Sequence, residues 1–73
     1  MIYYLRLKEY KKGSRFIYFS FMEYCDISKR NFDVYDKFWY ARKFDSYEEA
    51  QSFTRIADRD VLEIISEKEI KNV

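Results

Sequence analysis

The chain has no histidine and no proline, one glycine and one cysteine. Without imidazole there is no ordinary side-chain acid or base near neutrality, and neither a Ser-His nor a Cys-His pair can form. One glycine cannot build a phosphate-cradling loop. A lone Cys25 excludes an intramolecular disulfide and a cysteine-based zinc site, and reads as an inert, partly buried thiol near a strand end. The longest apolar runs, "IYYL" and "FIYF", fall far short of the ~20 residues that span a bilayer. The first residues lack the basic-then-apolar layout of a signal peptide. These absences lead to the expectation of a cytosolic protein with its start intact, not an enzyme, and needing no cofactor.

What is present is apolar and aromatic. Of 73 residues, 48% are hydrophobic and 22% carry Phe, Trp or Tyr rings, too rich for a disordered chain. A charged fraction of 37% with net charge +1 mixes both signs. A chain this short makes one domain, residues 1–73, that buries only roughly 60% of the surface its unfolded form exposes. Asp26, Asp33 and Asp36 do not have the spacing of a calcium loop and read as turn formers, so no metal site is expected. Glu48 and Glu49 are helix neighbours that point apart, so they make no catalytic pair.

The pattern predicts the element order β-β-β-α-β. Residues 2–10 alternate, with Tyr3, Leu5 and Leu7 on one face and Tyr4, Arg6 and Lys8 on the other. "KKGS" is a hairpin turn around the single glycine, and a second strand runs from Phe16 to about Tyr24. A polar loop, able to hold a helical turn, leads to a third strand at 34–44, which places Trp39 and Tyr40 on opposite faces. Residues 45–58 form a helix capped by Ser46 with Glu49 three positions on. Its apolar stripe is Ala50, Phe53, Ile56 and Ala57. A fourth strand at 61–66 precedes a charged tail, 67–73, that frays. The fold class is α+β: an antiparallel sheet of three to four strands with one helix on one face.

One helix covers one side of such a sheet. Ile17, Phe19 and Phe21 are assigned to the covered core, with Leu5, Leu7 and Phe53. The second face then holds Tyr4, Phe16, Tyr18, Met22 and Trp39, together with Tyr24 and Tyr40. An uncovered aromatic face of this kind marks a binding or oligomer surface. Charge is also divided: residues 1–43 carry ten Lys/Arg against five Asp/Glu, and residues 44–73 carry four against eight. With Arg6, Lys8, Arg15 and Lys37 interleaved among rings, the sheet could stack bases and meet phosphates, a nucleic-acid alternative worth ~1–3 kcal/mol per stacked base.

Three resemblances bear on these alternatives. The stretch "YARKFDSYEEAQSFTRIAD" (40–58), after three strands, resembles the β-β-β-α DNA-binding domains of integrase arm-binding regions and plant ethylene-response factors. That likeness implies DNA contacts from Arg6, Arg15 and Trp39, although those families are basic and lack a fourth strand. "KKGSRFIYFSF" has a fainter likeness to the aromatic strand of RNA-recognition motifs, whose glycines and βαββαβ order are missing here. In size, in its wealth of Lys, Tyr, Ile, Phe and Asn, and in "KFDSYEEAQ", the whole chain looks like small β-rich proteins of phages and other mobile elements. That implies a non-enzymatic module that blocks a host protein or defence complex. The expected function is such protein binding through the aromatic face. DNA or RNA binding, capture of a nucleotide-like ligand and burial of the face in a homodimer are the alternatives.

Overall fold

The computed structural model describes residues 1–8, 15–20 and 23–71. Its frame is a four-stranded antiparallel sheet in the order β3-β2-β1-β4, with β1 at Tyr3–Leu7, β2 at Phe16–Phe19, β3 at Phe32–Tyr35 and β4 at Leu62–Ser66. Helix α1, Tyr47–Ser52, lies on one face, and a five-residue helix α2, Glu67–Lys71, follows β4 directly. The α+β class and the antiparallel sheet are as the pattern predicts. The expected hairpin turn at "KKGS" lies outside the described residues, as do Phe21 and Met22.

Alternation sorts the strands onto two faces, and both faces are packed. On the α1 side Leu5, Ile17, Phe19, Cys25, Phe44, Ala50 and Leu62 form a buried cluster, with Leu7 and Phe53 packed against it. On the other side Tyr4, Phe16, Ala41 and Ile65 form a second cluster, closed by Ile2, Phe38 and Ile70. The expectation of an uncovered second face is therefore corrected: Tyr4 is 1% exposed and Phe16 3%.

The cover comes from the segment read as a third strand. Strand β3 ends at Tyr35, and Phe38–Tyr40 coils into a 3₁₀ turn instead of continuing. Its Phe38 ring sits 5.4 Å from the Tyr4 ring and 6.3 Å from that of Phe16, both edge-to-face. Such contacts contribute ~0.5–1.5 kcal/mol each beyond area burial. The chain then passes between β1 and β2, which are splayed. Arg42 N–H donates to the Ile17 carbonyl at 3.2 Å, while Phe44 exchanges two bonds with Tyr3 at 2.9 and 3.0 Å. Residues 41–44 thus fill the gap like a short extra strand. Their alternation gives Ala41 to one cluster and Phe44 to the other.

The helix is shorter than its pattern suggests. Ser46 is the N-cap, its Oγ accepting from the Glu49 N–H at 3.0 Å. The expected 45–58 span stops at Phe53, because the Phe53 carbonyl is taken by the Cys25 N–H at 2.7 Å and Thr54 bridges to Cys25. Ser52 and Thr54 hydroxyls also bond back to the Glu49 and Gln51 carbonyls, competing with the next turn. Residues Ile56–Asp58 form a separate 3₁₀ turn, and Ile56, expected in the stripe, is 79% exposed. The tail expected to fray is instead ordered over Glu67–Lys71. Ser66 caps it: Oγ accepts from the Glu69 N–H at 3.1 Å, and the Glu69 carboxylate reaches back to Ser66.

Candidate functional site: an aromatic cap above the second sheet face

By packing a half-buried Phe38 against the second cluster, the 3₁₀ turn lifts its two neighbours out toward solvent. Trp39 is 53% exposed and Tyr40 57%. Their rings are 6.1 Å apart, so the expectation of opposite sheet faces is corrected: a 3₁₀ turn, not a strand, carries them. Tyr35, at the end of β3, stands 5.7 Å from the Tyr40 ring. Lys37 places its ammonium 5.8 Å from the centre of the Trp39 ring. Trp39 is braced edge-to-face on Phe38 at 5.2 Å. The result is a contiguous group of rings held from below by the Tyr4–Phe16–Phe38 triangle, presented to solvent with one cation at its margin. Rings with polar tips, held on a rigid base, lose little conformational entropy on binding.

The other expected site residues are scattered. Tyr18 is exposed on the same sheet face, opposite Asp33 in the neighbouring strand. Tyr4 and Phe16 support the cap from inside and do not reach the surface. Arg6 is engaged by Glu63 and lies 6.0 Å over the Phe16 ring. Lys8 borders a different groove, beside β4. Arg15 sits at the start of β2, where its carbonyl takes the Leu7 N–H. The basic residues named for nucleic acid therefore lie at separate places, with Lys37 beside the exposed rings. The missed member of the cap is Tyr35. The register that pairs it with Phe16 across strands puts it on the face that the cap covers, and that register is visible only in the fold.

Elsewhere the buried carboxylate of Asp26 serves the fold. Asp26 accepts from Ser28 N–H at 3.0 Å, Ser28 Oγ at 2.7 Å and Arg55 Nη1 at 2.5 Å, tying the 25–31 loop to the 54–58 segment. The Ser28 hydroxyl, aided by Arg55 and opposed by burial, holds the Asp26 carboxyl below the ordinary carboxylate range. Its contribution to stability is complete above the unfolded-state value of about 3.9 and disappears as pH falls through the lower folded-state value. Asp26→Asn should remove that part of the acid dependence, leaving a flatter acid limb in denaturation curves measured against pH. Among the described residues no group of three or more Cys, Asp or Glu side chains could hold a metal ion.

Cys25 is fully buried in the α1-side core. Burial, reinforced by Asp58 and Asp26, pushes its thiol up to about 12. At about pH 8, where an exposed thiol is partly ionised, an aromatic disulfide reagent should label Cys25 only as fast as the domain opens. Rapid labelling of the folded protein would contradict this placement.

No family model matches the chain, and neither a curated protein nor a solved structure matches it significantly. Among the described residues no helix is long and apolar enough to cross a membrane.

Proposed function

We propose that this protein is a small non-enzymatic binding module that occupies the surface of a partner protein through its aromatic cap, Tyr35, Trp39 and Tyr40. The observation that carries the reading is the exposure of Trp39 and Tyr40 on a turn whose third ring, Phe38, packs half-buried against the core. Exposed Trp and Tyr on a rigid base have the composition of interface hot spots. The likeness to small proteins of phages and mobile elements extends the reading to inhibition or modulation of a host protein or defence complex in the cytoplasm. The test is capture on immobilised protein, comparing wild type with the Trp39→Ala, Tyr40→Ala double variant. A protein retained by the wild type and lost by the variant supports the reading, whereas equal retention by both overturns it.

Lys37 beside the Trp39 ring favours a second reading, in which the cap stacks single-stranded nucleic acid. Retention of single-stranded DNA at low salt, falling steeply as salt rises, is its expected signature. The pairing of Arg6 with Glu63 leaves that reading fewer cations than the basic half of the chain suggests.

A further inference from the structure

A second surface, independent of the cap, is the outer edge of β4. Lys8 N–H donates to the Val61 carbonyl and Glu67 N–H donates to the Ile2 carbonyl. With the register running from Tyr3↔Ser66 to Leu7↔Leu62, these two bonds fix the odd-numbered β4 residues as those bonded to β1. Leu62, Ile64 and Ser66 therefore turn their N–H and C=O groups away from the sheet. Ser66 N–H is met by the Glu69 carboxylate at 3.5 Å. Among the described residues, those of Leu62 and Ile64 meet nothing. Edge strands are commonly blunted by a bulge, a proline or a cover, yet here β4 pairs regularly along its length.

Beside this edge lies a groove of about 260 Å³. Tyr47, Gln51 and Thr54 form its helix-side wall, with Leu62 and Ile64 opposite. The Tyr47 ring stands edge-on to Tyr3 at 6.1 Å, which fixes that wall. Lys8 and Arg59 also border the groove, near the N-terminal end of β4, and among the described residues neither has a carboxylate partner. The Glu63 carboxylate, the acidic group on the lining, is engaged by Arg6.

We propose that this edge binds an extended, acidic peptide segment of a partner as a fifth, antiparallel strand. Alternate side chains of the segment fill the groove beside α1, and its acidic C-terminal end lies near Lys8 and Arg59. The unmet N–H and C=O groups of Leu62 and Ile64 call for an extended backbone, which is how strand addition gains affinity. The groove calls for free side chains. A second copy pairing through its own β4 cannot supply them, because its Leu62 is already 5% exposed in its own core. The cations select acidic residues at one end.

The probe is an acetylated, amidated hexapeptide, Thr-Val-Thr-Val-Glu-Glu, titrated into the full ¹⁵N-labelled chain. Two counterparts serve as controls, one with its backbone N-methylated and one with Lys in place of Glu. Shifts centred on Leu62, Ile64, Tyr47 and Gln51, with slowed amide exchange at Leu62 and Ile64, are expected. N-methylation should weaken binding about tenfold or more, since each lost hydrogen bond is worth roughly 1 kcal/mol. Arg59→Glu should weaken the acidic peptide and strengthen the Lys counterpart. Ile64→Pro removes a donor that the fold does not use, a change edge strands tolerate, and should abolish binding. If that variant fails to fold, the N-methylated peptide and Arg59→Glu decide. Shifts centred on Trp39 and Tyr40, equal binding of the N-methylated peptide, or no shifts at millimolar peptide would each overturn the proposal. Concentration-dependent protection of Leu62 and Ile64 without peptide would also overturn it, by making a second copy the occupant.

Discussion

Replacing Arg42 by Ala is expected to destabilise the domain by about 3 kcal/mol or more, the largest single effect foreseen for a charged residue here. Arg42 is buried, and its guanidinium carbon lies 4.1 Å from the centre of the Phe53 ring, 4.4 Å from Phe19 and 5.1 Å from Phe44. A desolvated cation over an aromatic face is worth ~2 kcal/mol or more. Nη1 also donates to the Ser20 carbonyl at 2.9 Å and the Glu23 carbonyl at 3.3 Å, which ties the chain beyond β2 to the core. Burial lowers its pKa from the ordinary arginine value. Alanine would leave a cavity between three rings and free two carbonyls. A domain of this size has on the order of 5 kcal/mol in total, so more than half of its stability should be lost. Arg42→Met keeps the length and the apolar ring contacts but loses the cation and both hydrogen bonds, and should cost less than Arg42→Ala, roughly 2 kcal/mol. Urea denaturation of both variants tests this, and an unchanged midpoint for Arg42→Ala would refute it.

The second large effect concerns binding rather than folding. Truncating Trp39 and Tyr40 together should weaken partner binding by a factor of about 100 or more, since a hot-spot residue is typically worth ~2 kcal/mol or more. Both side chains are more than half exposed, so stability should change by only about 0.5 kcal/mol. Tyr4→Ala and Phe16→Ala should do the reverse. Each empties part of a packed cluster and should cost ~3–5 kcal/mol of stability, with binding lost only through unfolding. This crossed pattern, read by titration calorimetry and urea denaturation, separates the cap from the rings that support it.

Much of the frame was legible in the chain. The alternation in "YYLRL" and "FIYF" sorted Leu5, Leu7, Ile17 and Phe19 onto one face and Tyr4 and Phe16 onto the other. The Ser46 cap was readable from its spacing to Glu49. The cover over the second face was not, for two physical reasons. "FWY" at 38–40 has strand-forming rings, and propensity cannot tell a strand from a turn that tertiary packing selects. The last helix is charged and short, and contributes Ile70 alone to the packing. Its Ser66-x-x-Glu69 cap is present in the sequence, but the stretch beyond it holds too few apolar residues to look like a helix. Aromatic richness thus signalled exposed rings, but at Trp39 and Tyr40 and not at Tyr4 and Phe16. The rings first assigned to the surface form the base of the cap.

Trp39 is the single tryptophan of the chain, so its fluorescence reports on the cap alone. Acrylamide quenching, measured in the free protein and in complex with the captured partner, is the most direct test. Strong quenching in the free protein and clear protection in the complex are predicted. Equal quenching in both states would contradict a binding surface at the aromatic cap.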